Sequence, residues 1–250
     1  AMGASPSFVF LGISITPQTD VYTKDFLESF CALCQKHQLA LMGGDTTASP
    51  HDLLISVTLI GTVPHTHIKR RNTAKPGDII CVIGNLGYSL LGLNALENNK
   101  ASDFTEYTLK PQAKIQEGSW LGAQSAITSL MDLSDGLYTD LNRLCLASQV
   151  HATIAVDQLG YSDLFLAECQ KHHQSPHEIA LSGGEDYGLL FTVSPTRLDS
   201  LKKHFQQTFC YDIQVIGEIA PKHESEPTLR FTENGQATHF KLNPFKHFDE

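Results

Sequence analysis

The chain has 250 residues, 41% hydrophobic and 18% charged, the balance of a soluble globular protein with room for one large domain or two modest ones. Its formal net charge of -9 offers no basic field to nucleic acid or to an anionic membrane, so a phosphate ligand has to be held by local groups or by metal ions. No apolar stretch approaches the length of a membrane span.

The opening "AMGASPSFVFLGISIT" lacks the charged flank of a signal peptide and reads as a chain entered in mid-fold, with β-type alternation over its apolar part. "TKDFLESFCALCQKHQ" predicts an amphipathic helix, capped by Asp20 or Thr23. "LALMGGDTT" predicts a sharp turn on two glycines, and "LLISVTLIGTV" a strong strand. Pro76, Gly77 and Asp78 in "AKPGD" mark a domain junction, giving lobes over residues 1–70 and 71–250. "IICVIG" predicts a buried strand, followed by a turn from Gly84 to Gly87 and the helix "SLLGLNALE". Pro111 is placed to open the helix "PQAKIQEGSWLGAQ" at its first position.

Alternation continues with the strand "AITSLMD", the helix "LNRLCLASQ", the strand "VHATIAV", the helix "YSDLFLAECQ" and the strand "YGLLFTV". Ser194 and Pro195 introduce the helix "TRLDSLKKHFQQ", and "IQVIGEI" closes as a strand. This order predicts an α/β or α+β layer architecture. Six scattered cysteines read as buried, reduced thiols of a cytoplasmic protein, because the "CALC" pair at 31–34 has no second pair to complete a zinc site.

Three stretches join glycine to acid beside an apolar run: "GGDTT" at 43–47, "MDLSDGLYTDL" at 131–141 and "SGGEDYG" at 182–188. Glycine lets a backbone approach a ligand closely, and a neighbouring carboxylate can hold the Mg²⁺ that bridges phosphate oxygens. Together they suggest a polyphosphate–magnesium site. Within the second stretch Asp132 ends the strand, Asp135 suits either a helix cap or a metal, and Asp140 is expected to face solvent. "GNLGYS" at 84–89 reads as an ordinary strand–helix turn.

"MGGDTT", "AKPGDIICVIGNLGYSLLGL", "MDLSDGLYTDL" and "LSGGEDYGLLFTV", in that order, resemble the thiamine-monophosphate kinase family, of the superfamily that includes aminoimidazole ribonucleotide synthetase. The resemblance implies a two-lobed fold with an α/β C-terminal lobe and a strand-rich N-terminal lobe that is incomplete here. It implies a homodimer, and transfer of the ATP γ-phosphate to thiamine monophosphate with several Mg²⁺ ions. By the same resemblance Asp45, Asp132 and Asp135 are metal ligands, while Gly44, Asp45, Arg71 and Ser134 face the nucleotide. Glu185 and Phe245, the latter in "PFKHF", face the thiamine substrate.

Three departures stand out. Gly188 follows the Tyr of "GGEDY" where the family has Glu, and Lys246 replaces an Asp. The family's first metal-binding Asp is expected just upstream of Ala1, and two earlier acidic motifs are absent. Alternative readings are aminoimidazole ribonucleotide synthetase, whose His-Ile-Thr-Gly-Gly-Gly motif is missing, and a nucleotide-binding module without catalysis.

Overall fold

The structure, a computed structural model, describes residues 1–242 and forms two compact units. The smaller spans Ala4–His65; the larger joins Ala1–Gly3 to the chain from Thr66 onward. Phe245 and Lys246 lie outside the described residues.

The smaller unit is built from β1 (Ser5–Ile15), α1 (Asp20–Lys36), β2 (Ala40–Ala48) and β3 (Leu54–Thr62). Its sheet has the order β2-β1-β3, with β1 parallel to β2 and antiparallel to β3. The parallel pair needs a crossover, and the amphipathic α1 supplies it. Val9, Leu11 and Ile13 recur at the strand period and are buried, whereas β2 and β3 are exposed along their length. The turn expected at "LALMGGDTT" is not there: β2 runs straight through Gly43, Gly44 and Asp45. Gly44 pairs with Leu11, and a Cβ at Gly44 would lie 1.7 Å from the Leu11 carbonyl oxygen, so here glycine serves strand packing.

The larger unit opens with β4 (Ile79–Ile83), α2 (Tyr88–Glu97), α3 (Thr105–Leu109), α4 (Ile115–Ala123), β5 (Ile127–Asp132) and α5 (Leu137–Ser148). It continues with β6 (Val150–Ala155), α6 (Asp163–Lys171), α7 (Pro176–Ser182), β7 (Leu189–Val193), α8 (Leu198–Phe209), β8 (Gln214–Pro221), β9 (Leu229–Glu233) and β10 (Gln236–Thr238). Pro111 does not open a helix, since α4 begins at Ile115. The strands form one mixed sheet in the order β10-β9-β6-β8-β4-β7-β5, in which only the β6–β9 pair is parallel.

Both faces of that sheet are covered. Ile80 and Val82 of β4 enter one apolar core with Leu137, Leu141 and Leu144 of α5. Cys81 and Ile83 enter a second core with Leu121 of α4 and Leu201 and Phe205 of α8. This two-sided burial explains why β4 and β7 read as continuous apolar runs. Of the six thiols, Cys31 and Cys210 are exposed; the other four are buried as expected.

Strand register decides where the loops go. Leu189, at the start of β7, pairs with Ile83 at the end of β4 and with Asp132 at the end of β5. The segments after β4, after β5 and before β7 therefore meet at one end of the sheet.

Candidate active site

Backbone hydrogen bonds lock two of these three segments together. Glu185 N–H donates to the Ser134 carbonyl at 2.8 Å, Tyr187 N–H to the Leu133 carbonyl at 3.0 Å, and Leu133 N–H to the Gly188 carbonyl at 2.9 Å. Gly136 sits where they cross: its φ is +99°, and a Cβ would lie 2.9 Å from the carbonyl oxygens of both Ser182 and Gly183. Gly188, the departure from the family's Glu, is tightly placed as well, since a Cβ there would lie 2.6 Å from the Ile83 carbonyl oxygen.

The acids of this junction fall into two sorts. Asp132, half-buried at the end of β5, and Glu185, exposed, make no side-chain hydrogen bond among the described residues. Asp135 keeps one oxygen open and gives the other to the Arg143 guanidinium. It is not the helix cap, because the N-cap of α5 is Gly136.

Asp140 faces inward, contrary to its expected place in solvent. Its side chain is fully buried, and its Oδ2 accepts the N–H groups of Ser134 and Asp135, each at 2.9 Å. Arg143 donates to the other oxygen at 3.1 Å. Burial pushes the Asp140 carboxyl above the usual range, against the pull of those N–H groups and of Arg143. The signal was in the sequence: Asp140 lies at helical spacing with Leu137, Leu141 and Leu144, on the face that packs into the core.

Two residues that the sequence reading passed over, Arg143 and Tyr187, belong here, together with Asp186, which it counted with Glu185 among the acids of the "SGGEDYG" turn. Arg143 stands one helical turn from Asp140. Asp186 turns away from Glu185 and accepts backbone N–H groups at the start of α2. Tyr187 is 37% exposed, and its phenol is pushed up first by partial burial and then by the charges of Glu185, Asp132 and Asp135. The backbone pairing of residues 185–187 with 133–134 sets Glu185 and Tyr187 alongside the loop that carries Asp132 and Asp135.

Other expected site residues are placed elsewhere. Ser134 lies in the loop itself. The Arg71 carbonyl accepts from the Ser148 hydroxyl at the C-terminal end of α5, a 12-residue helix about 18 Å long, so its backbone sits far from Asp135. Gly44 and exposed Asp45 belong to the smaller unit. Among the described residues no three His, Cys, Asp or Glu side chains form a metal-holding group. Magnesium does not need one, since it is commonly held by one or two carboxylates together with substrate phosphates and water. The uncommitted oxygens of Asp132 and Asp135 fit that requirement.

Residues 75–230 match the C-terminal domain of AIR synthase related proteins, and residues 1–63 match their N-terminal domain. The chain is 36% identical over 261 residues to the thiamine-monophosphate kinase of Escherichia coli strain K12, covering 99% of this chain and 75% of that protein. It is 32% identical over 256 residues to the thiamine-monophosphate kinase of Buchnera aphidicola subsp. Acyrthosiphon pisum, covering 100% of this chain and 76% of that one. Among solved structures, AaThiL complexed with AMPPCP and TMP matches with a TM-score of 0.83 at 27% identity, over 99% of this chain and 75% of that one.

Proposed function

Because the chain belongs to the thiamine-monophosphate kinase family of AIR synthase related proteins, we propose that it transfers the γ-phosphate of ATP to thiamine monophosphate, forming thiamine diphosphate and ADP. The observation that carries this reading is the pinning of the segment with Glu185 and Tyr187 to the loop with Asp132 and Asp135, by backbone hydrogen bonds at one end of a rigid sheet. Phosphoryl transfer asks a protein mainly for positioning and for neutralisation of charge. An AaThiL structure of the same fold holds a nucleotide analogue and TMP, which supports the pairing of substrates.

The residues divide the task. Asp132 and the open oxygen of Asp135 would hold Mg²⁺, which would supply charge neutralisation at the phosphates. Ser134 offers its hydroxyl to the nucleotide, and Arg71, remote from the acids, serves the part of the nucleotide away from the transferred phosphate. Glu185 and Tyr187 face the acceptor substrate. Gly44, Asp45 and Phe245 keep the roles that the family resemblance implies. A cavity of about 670 Å³ beside Asp186, lined in part by Asn85, Tyr107, Lys114 and Tyr211, has the size for a phosphorylated heterocycle.

The active form on this reading is a cytoplasmic homodimer. Leu41, Leu54, Val57 and Leu59 stand about half exposed on the small sheet, an apolar surface of the kind that a second subunit covers. No described helix is long and apolar enough to cross a membrane. The test is ADP release by the purified protein with ATP and Mg²⁺. It is expected only when thiamine monophosphate is present; release with formylglycinamidine ribonucleotide in its place overturns the assignment. Sedimentation at micromolar concentration checks the dimer, and a monomer there contradicts it.

A further inference from the structure

Asp140 acts within its own loop, but Asp186 reaches across the chain. Its Oδ2 accepts the Gly87 N–H at 2.5 Å and its Oδ1 accepts the Ser89 N–H at 2.9 Å. These groups belong to the first turn of α2, whose N-cap is Gly87 and which has no side-chain cap of its own. Unclaimed N–H groups at a helix start need an acceptor. A Ser or Asp at the cap position would serve locally; here the acceptor comes from a segment almost a hundred residues later.

The residues on either side of Asp186 are held in an unfavourable backbone state. Glu185 has φ +61° and Tyr187 φ +48°, the left-handed region that side chains other than glycine enter at a cost. In that state Glu185 and Tyr187 are exposed while Asp186 is turned inward. The same two residues donate their N–H groups to Ser134 and Leu133 of the acidic loop. The segment is thus held from both sides, by its backbone on the acidic loop and by one carboxylate on α2.

We propose that Asp186 is a positioning residue for phosphoryl transfer, whose clasp on the first turn of α2 holds the 184–188 segment in the conformation that presents Glu185 and Tyr187 beside Asp132. Without the carboxylate, relief of the left-handed strain swings both side chains out of place, and the start of α2 frays. The strands beneath are held by their own ladder and core, so the fold survives. The kinetic part of this inference rests on the thiamine-monophosphate kinase reading; the structural part does not.

The experiment compares the parent with Asp186→Ala and Asp186→Asn at pH 8. Asn keeps the size of the side chain but has one acceptor oxygen where Asp has two. Hydrogen exchange is followed at the amides of Gly87, Ser89, Glu185 and Tyr187, with those of β4 and β7 as reference. In Asp186→Ala, exchange at the four amides is expected to speed up by about tenfold or more while the strands stay protected. KM for thiamine monophosphate is expected to rise by about tenfold while KM for ATP moves by less than about twofold, with the Asn variant between parent and Ala. Unchanged exchange at Glu185 and Tyr187 overturns the clasp. So does a loss confined to melting temperature and active fraction with both KM values at the parent level, because a purely structural role acts that way. A parent that does not turn over thiamine monophosphate refutes the proposed kinase activity instead, and the exchange result then decides the clasp by itself.

Discussion

The small sheet and the loop junction of the larger unit both place glycine beside acid at the end of an apolar run, and they fold that pattern in opposite ways. In the small sheet Gly43, Gly44 and Asp45 stay inside β2, where Gly44 lets the strand pass the Leu11 backbone and Asp45 stands exposed. At the junction the glycines lie where loops cross, and Asp140 and Asp186 turn inward. The difference follows from hydrogen-bond supply. An edge strand such as β2 spends on the ladder only the N–H groups that face β1. A strand's side chains, however, stand perpendicular to the plane of its N–H groups, so Asp45 has no neighbouring N–H to bind and stays open to a ligand. Loops and helix starts leave N–H groups without partners, and those recruit acids. Glycine next to acid therefore signals close backbone approach, and the state of the nearby N–H groups decides whether the acid is available.

The largest expected effects test the acids assigned to ligands. Asp132→Asn keeps the shape and removes the charge of a side chain that holds up no loop. Turnover should fall by about 100-fold, with a raised magnesium requirement and a melting temperature near the parent's. Asp45→Asn should behave alike on the exposed strand, since neither acid is claimed by an N–H group among the described residues. Retention of the parent's rate and magnesium dependence in both would remove the metal reading.

Asp140→Asn sharpens the comparison, because it damages the fold as well as the site. One oxygen of Asp140 accepts both N–H groups, so Asn can keep those bonds, but its buried amide then stands donor to donor against Arg143 and carries no charge. A buried donor left unsatisfied costs about 1–3 kcal/mol, so both melting temperature and turnover should fall. Melting at the parent's temperature would show that the inward bonds carry no weight. Gly136→Ala acts on stability in the same range: the positive φ and the two carbonyl oxygens at 2.9 Å should together cost about 2–3 kcal/mol, read from chemical denaturation.

Much of the architecture was legible in the chain. The runs that became β4, β5, β7 and β8 were apolar and bounded by turn residues, and the helices that pack on them carried a 3.6-residue period. Three elements were missed although they had signals. α7 is short, but Ser175, Pro176 and Glu178 form a helix start in which the Ser175 hydroxyl accepts the Glu178 N–H. β9 and β10 flank Asn234-Gly235, a hairpin dipeptide. The place of Asp132 at the end of a strand was legible from the apolar run before it. The partners of Asp186 were not, because they lie 97 and 99 positions away and no local pattern encodes a contact at that range.

The last effect expected is a drift of stability with pH, and it reads the inward Asp186 directly. Burial pushes the Asp186 carboxyl up to about 7, although the N–H groups of Ser89, Gly87 and Tyr88 pull the other way. Between the ordinary carboxylate range and about pH 7 the native protein therefore keeps a proton that the unfolded chain has already lost. The native state binds more protons there, so unfolding becomes easier as pH rises through that window, and above it the contribution is constant. Asp186→Asn has no such proton. Other titrating groups are common to both proteins, so the difference between their melting curves from pH 4.5 to 8 isolates this one carboxyl. The parent should lose roughly ten degrees more than the variant across the window, most of it below about pH 7. Parallel curves would mean that the N–H groups fully offset burial, and that an acid claimed inside the junction titrates like one left in water.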